Sequence, residues 1–195
     1  MKESGQTRGE EARLAALAGY DVLDTPPEEA FDRITRLVRR LLGVEITAIV
    51  FVGARKQWFK SCQGMTAKEA PRDTAFCHET IAREGALIVE DALLDPRFAQ
   101  DPLVVGEPHI RFYAGLPLRT REGCAIGTLC AIGTKPRTLE PDAIDLLADL
   151  GRMVMDELEL HRLATTDSLT GSLSRRASRE EAARGFALAR RHRNE

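Results

Sequence analysis

The chain has 195 residues, 43% apolar and 30% charged, which is enough apolar material for a core and excludes wholesale disorder. Its 28 basic and 30 acidic residues leave a formal charge of −2, so no nucleic acid and no anionic membrane is expected as a partner. No apolar run approaches the roughly 18 residues of a bilayer span, and the polar start MKESGQTRGEEARL lacks the apolar centre of a signal peptide. Four cysteines (Cys62, Cys77, Cys124, Cys130) stand far apart, the spacing of neither a zinc site nor a secreted disulfide scaffold. A cytoplasmic protein with reduced thiols is the expectation. The charge is uneven: residues 172–195 carry +4 and the first 171 carry −6.

In chain order, residues 9–20 (GEEARLAALAGY) predict a short helix. Thr25-Pro26-Pro27-Glu28 reads as a helix start, with Thr25 capping, Pro26 in the first turn and Glu28 completing a capping box. Phe31, Ile34, Leu37/Val38, Leu41 and Leu42 then recur at helical spacing, opposite Asp32, Arg36, Arg39 and Arg40, until Gly43. Residues 44–52 (VEITAIVFV) predict a strand buried on one or both faces, and 57–63 (QWFKSCQ) its antiparallel partner across the turn at 53–56.

The chain breaks at 71–73, and 74–83 (TAFCHETIAR) predict a short helix stopped by Gly85. Residues 86–90 form a brief strand. The three-proline stretch 91–109 reads as a long ordered loop with a helical turn, a length often tied to function. Two strands, 110–118 and 124–132, form a hairpin. A long helix opens at 139–142, its stripe Ile144, Leu147, Leu150, Val154 and Leu158 spaced as in a coiled coil. This order predicts an α+β domain: one antiparallel sheet, covered by helices on one face, with the first and last helices packed together.

Several segments resemble bacterial GAF sensor domains. They are 20–28 (YDVLDTPPE), 57–60 (QWFK), 76–78 (FCH), 95–98 (DPRF), 106–115 (GEPHIRFYAG) and 127–130 (GTLC), which occur in the expected order across residues 14–163. The resemblance implies a GAF-like antiparallel sheet of about five to six strands flanked by N- and C-terminal helices. A second resemblance begins at the charge step. Asp167-Ser168-Leu169-Thr170-Gly171 followed by Arg175-Arg176 is similar to the opening of a GGDEF (diguanylate cyclase) domain, with Ser172 and Ser174 departing from that family's pattern. The implied organisation is a lead-in over 1–13, a GAF domain over 14–142, a signalling helix over 143–166 and the truncated start of a GGDEF domain over 167–195. The cyclase's nucleotide loop and metal-binding carboxylates would lie beyond Glu195, so no cyclase activity is expected of these residues.

The candidate ligand-binding residues are Trp58, Phe76, Cys77, His78, Asp91, Arg97, His109, Arg111 and Tyr113: aromatic groups to line an apolar pocket and polar groups to orient its occupant. Phe59, Phe98 and Phe112 extend the aromatic set, and alternation along the strand puts only one of Phe112 and Tyr113 on the core side. Cys77-His78 could be a nucleophile beside a base, but neighbours on a helix point about 100° apart, and the plainer reading is a buried thiol beside a surface imidazole. The bilin-attaching Cys-His of some phytochrome GAF domains sits in different surroundings. The arginines beyond 175 read as a solvated face.

The expected function is a regulatory GAF domain. It would bind a small molecule, or relay the state of a homodimer formed by its first and last helices, through the C-terminal helix to a covalently attached diguanylate cyclase-type output in cyclic di-GMP signalling. No catalytic residue or metal is indicated, and the sequence names no cofactor either way. The alternatives are a GAF-fold thiol enzyme such as a free methionine-R-sulfoxide reductase, drawing on the four cysteines, and a ligand-free dimerisation module. Cys124 and Cys130, six apart, would face one side of a strand.

Overall fold

A computed structural model describes residues 3–72 and 75–165. The GGDEF-like segment lies outside the described residues. The elements are α1 (Glu3–Ala18), α2 (Glu29–Leu42), β1 (Ile46–Val52), β2 (Lys56–Gln63), β3 (Glu69–Pro71), α3 (Ala75–Ile81), β4 (Leu87–Val89), α4 (Pro102–Val105), β5 (Phe112–Arg119), β6 (Ala125–Gly133) and α5 (Pro141–Thr165). The six strands form one antiparallel sheet in the order β3-β2-β1-β6-β5-β4, so the fold is α+β. The chain divides after Asp156 into two units; the sheet, α1–α4 and α5 as far as Asp156 belong to the first, and 157–165 are the described part of the second.

The sheet is covered on both faces, not one. Every residue of β1 is buried, as its unbroken apolar run allows. Thr47 donates to Thr35 O of α2 at 2.9 Å, which turns the odd positions of β1 toward α2. Ala48, Val50 and Val52 instead join a cluster with Phe76 and Cys77 of α3, Phe98, Val104 of α4 and Tyr113 of β5. Double coverage also explains why Phe112 and Tyr113 are both buried, against the alternation argument.

Four local features differ from expectation. Helix α1 begins well before residue 9, and its Arg13 is buried, donating to Val52 O at 2.6 Å and to Glu10 at 2.8 Å. The capping box at 25–28 does not form. Helix α2 starts at Glu29 with Glu28 as its N-cap residue, making no side-chain cap bond. The reason is Lys60, whose buried ammonium takes Thr25 Oγ1 at 2.6 Å, Pro26 O at 3.0 Å and the Glu28 carboxylate at 2.5 Å. Leu37 and Leu41 of the α2 stripe are exposed, while Phe31, Ile34, Val38 and Leu42 carry the packing. The short strand β3, which no sequence expectation covered and which ends at the first residue of the 71–73 break, pairs with the start of β2.

Helix α5 buries Leu147, Leu150 and Val154. At Gly151 a Cβ would overlap the Leu116 side chain of β5, so the absent side chain is what brings the helix down onto that strand.

Candidate functional site

Between the sheet and α3–α4 lies a cavity of about 160 Å³. The alternating positions Ile46 and Val50 of β1, Cys130 and Ile132 of β6 and Tyr113 of β5 form its floor. Phe76 and Cys77 of α3 form a wall, with Leu103 of α4, Pro108 and Ile110 beyond them. Gln57 and Phe59 of β2 close it together with Met65, Ala67 and Ala70. The lining is almost wholly hydrocarbon. Its amide, Gln57 Nε2, is already turned to Arg72 O at 3.0 Å.

The aromatic wall is built by the backbone around it. Phe76 stacks on Phe98 with ring centroids 4.3 Å apart and 8° between planes, and meets Tyr113 at 4.8 Å. Tyr113 lies along its strand over Gly115, where a Cβ would strike the phenol ring, and so reaches Thr80 Oγ1 at 2.9 Å. Thr80 in turn donates back to Phe76 O at 2.8 Å, tying α3 to β5.

The thiols also converge here. Thr128 Oγ1 lies 3.6 Å from Cys77 Sγ as donor, and Cys130 Sγ lies 3.5 Å from Ala48 O. The neighbouring Cys130 thiol is the main influence lowering Cys77's pKa, with Thr128 and Tyr113 adding to it against burial. Cys130 itself is pushed well up by Cys77 and by burial, and burial likewise raises Tyr113. Cys62 packs at the edge of this cluster, with its pKa raised by burial, whereas Cys124 precedes β6 in the hairpin turn and is not brought to the cavity.

Of the nine candidate residues, the cavity gathers Phe76, Cys77 and Tyr113. The other six lie elsewhere. Trp58 pairs with Phe51 and sits on the opposite face of β2, where its Nε1 is buried and meets no partner among the described residues. His78 is exposed on α3, pointing away from Cys77, and shares a surface groove with Arg97, Arg72 and Glu79. Arg97 pairs with Asp95 at 2.6 Å and lies over the Phe98 ring. Asp91 and Arg111 form a two-pronged pair at 2.6 and 2.7 Å, and this guanidinium holds the Asp91 carboxyl below the usual carboxylate range. His109, exposed with a left-handed backbone, stands 3.7 Å from Glu107. Of the charged candidates, Asp91 and Arg111 fasten the start of the long 91–109 segment to the approach to β5, while Arg97 and His109 pair with residues inside that segment.

Gln57, Val50, Ile132, Leu103 and Met65 were absent from the sequence-based set. Pairing β1 with β2 and β6 in register would have put Val50 and Ile132 on one face; Leu103 and Met65 carry no such signal.

The comparisons with known proteins agree with this architecture. Residues 26–158 match the GAF domain family. A cyclic di-GMP phosphodiesterase of Pseudomonas aeruginosa is 35% identical over 176 residues, covering 88% of this chain, which spans only 30% of that relative's length. Among solved structures, the GAF domain of an Acinetobacter phosphoenolpyruvate-protein phosphotransferase superposes with a TM-score of 0.60 at 16% identity, covering 83% of this chain and 98% of that one. A free methionine-R-sulfoxide reductase from Neisseria meningitidis gives 0.58 at 16% identity, over 75% and 87% of the two chains, a likeness of fold alone. With a sheet, flanking helices and cavity of this form, and a family match across most of its length, the chain belongs to the GAF domain family.

Proposed function

We propose that this chain is a regulatory GAF input of a cyclic di-GMP signalling protein, and that its ligand is a small apolar molecule held in the α3 cavity. The observation that carries the reading is the cavity's composition: about 160 Å³ of hydrocarbon wall with its amide already satisfied. A dry cavity of about that size accepts a molecule such as benzene, and favours nothing that needs charge compensation. The relay runs through β5, which presents Tyr113 to the cavity and Leu116 to Gly151 of α5. A ligand that favours one seating of Tyr113 over another then biases the seating of α5. The output reading draws on the phosphodiesterase relative and on the GGDEF-like start at 167–176. In this reading the first and last helices make the homodimer through which α5 reports.

Native mass spectrometry of the purified chain tests the ligand, with thermal shift against benzene and indole as probes. A co-purified small molecule or a probe-dependent rise in Tm is expected; neither would leave the cavity without a binding role, as would a probe response undiminished in Phe76→Trp. Sedimentation at tens of micromolar tests the dimer, and a clean monomer overturns the relay between copies.

A further inference from the structure

The cavity wall carries two thiols that the ligand reading leaves unused. We infer that Cys77 and Cys130 are a peroxide-reactive pair, in which Cys77 is oxidised first and Cys130 then closes a disulfide across the cavity floor between α3 and β6. The geometry is specific to these two of the four cysteines. Cys77 on α3 and Cys130 on β6 both border the cavity, and both belong to the same buried cluster. Thr128, two residues before Cys130 on β6, points its hydroxyl at Cys77 Sγ from 3.6 Å. A thiolate forming at Cys77 therefore meets a donor already in place, and Cys130, two residues along β6 from Thr128 and so on the same face of the strand, is the second thiol lining that cavity.

The chemistry balances with hydrogen peroxide as the oxidant. The Cys77 thiolate attacks one peroxide oxygen; the O–O bond breaks, an S–O bond forms, and hydroxide leaves, so sulfur is oxidised by two electrons and peroxide reduced. Cys130 then attacks the Cys77 sulfenic acid. The S–O bond breaks, the S–S bond forms, and the hydroxyl departs as water with the Cys130 proton. Peroxide is small enough for a cavity of about 160 Å³. The consequence for the domain is mechanical, since the bridge fastens α3 to the central strand pair and narrows the cavity that an apolar ligand would occupy.

The test uses the full chain, reduced and then exposed to a modest excess of hydrogen peroxide. Peptide mapping is expected to find Cys77 linked to Cys130, with Cys62 and Cys124 still free to alkylate, and dithiothreitol is expected to restore all four thiols. Thr128→Val keeps the shape of the side chain and removes the donor, and is expected to slow the oxidation about tenfold. Cys130→Ala is expected to leave a sulfenic acid on Cys77 that dimedone traps. Bridging through Cys62 or Cys124, or oxidation of those two while Cys77 stays reduced, overturns the inference, as does an unchanged rate in Thr128→Val. Probe binding measured under dithiothreitol reports on the ligand reading separately, so either can fail alone.

Discussion

Lys60 Nζ lies 2.5 Å from Glu28 Oε1, with the lysine side chain almost wholly out of water and the carboxylate at the rim. The two ends of this pair differ in what they leave behind. Glu28→Ala strands a buried ammonium and is expected to cost about 3 kcal/mol. Lys60→Met leaves a carboxylate that water can reach and is expected to cost about half of that, with the Thr25 hydroxyl still donating to Val22 O at 2.8 Å. Urea unfolding of the two variants gives the order directly, and a larger loss in Lys60→Met would contradict it.

At the aromatic wall, Phe76→Ala removes the partner of both Phe98 and Tyr113, and a loss of about 3–5 kcal/mol is expected. Tyr113→Phe should cost only about 1 kcal/mol, because Thr80 keeps its bond to Phe76 O. Equal losses in thermal unfolding would mean that the hydroxyl pair, rather than the stack, holds α3 in place.

Glu10 gives the domain an acid-sensitive fastening. Arg13 above all, with Arg72 beside it, holds its carboxyl at about 2 against a usual value of 4.5. The folded value is the lower one, so the contribution is complete above pH 4.5 and is lost as the pH falls from there toward about 2. Glu10 is about one-third exposed, and solvent screening reduces the effect to about 1 kcal/mol. Unfolding free energy measured over that window should slope less in Glu10→Gln than in the parent; parallel curves would remove the fastening.

Gly151→Ala puts two effects in opposition. In an exposed helix the change gains about 1 kcal/mol from propensity. Here the new methyl meets Leu116, and overpacking is expected to win, for a net loss of about 1–2 kcal/mol. Leu116→Ala combined with Gly151→Ala should be less harmful than the sum of the two singles. A stabilised Gly151→Ala would show that α5 does not seat on β5 there.

Helix α2, the two hairpins and α5 were legible because each is announced by apolar spacing and a turn residue close at hand. The buried thiol and surface imidazole at Cys77 and His78 were legible from helix geometry alone. What could not be read was the pairing of charges. Asp91 with Arg111 spans twenty residues, so both looked free to serve a ligand, and Lys60 with Glu28 spans thirty-two, beyond any local pattern. The capping box failed for the same reason: local logic assigned Thr25 and Glu28 to the helix, and a lysine from a distant strand took them. Double coverage of the sheet was left open by the run at 44–52, since an unbroken apolar strand fits it but does not require it.

Strand β2 shifts register where Ile49 faces Ser61 and Val50 faces Phe59, so Lys60 is one residue too many. Before the shift, Gln57 and Phe59 face the cavity; after it, Cys62 packs on that side while Ser61 and Gln63 turn to Thr35 of α2. Had the strand kept strict alternation from Phe59 onward, the hydroxyl of Ser61 and the amide of Gln63 would form the cavity's edge, and the thiol would point at the helices. The dryness of the cavity is therefore a matter of phase: a single supernumerary lysine decides which half of its strand's side chains line it.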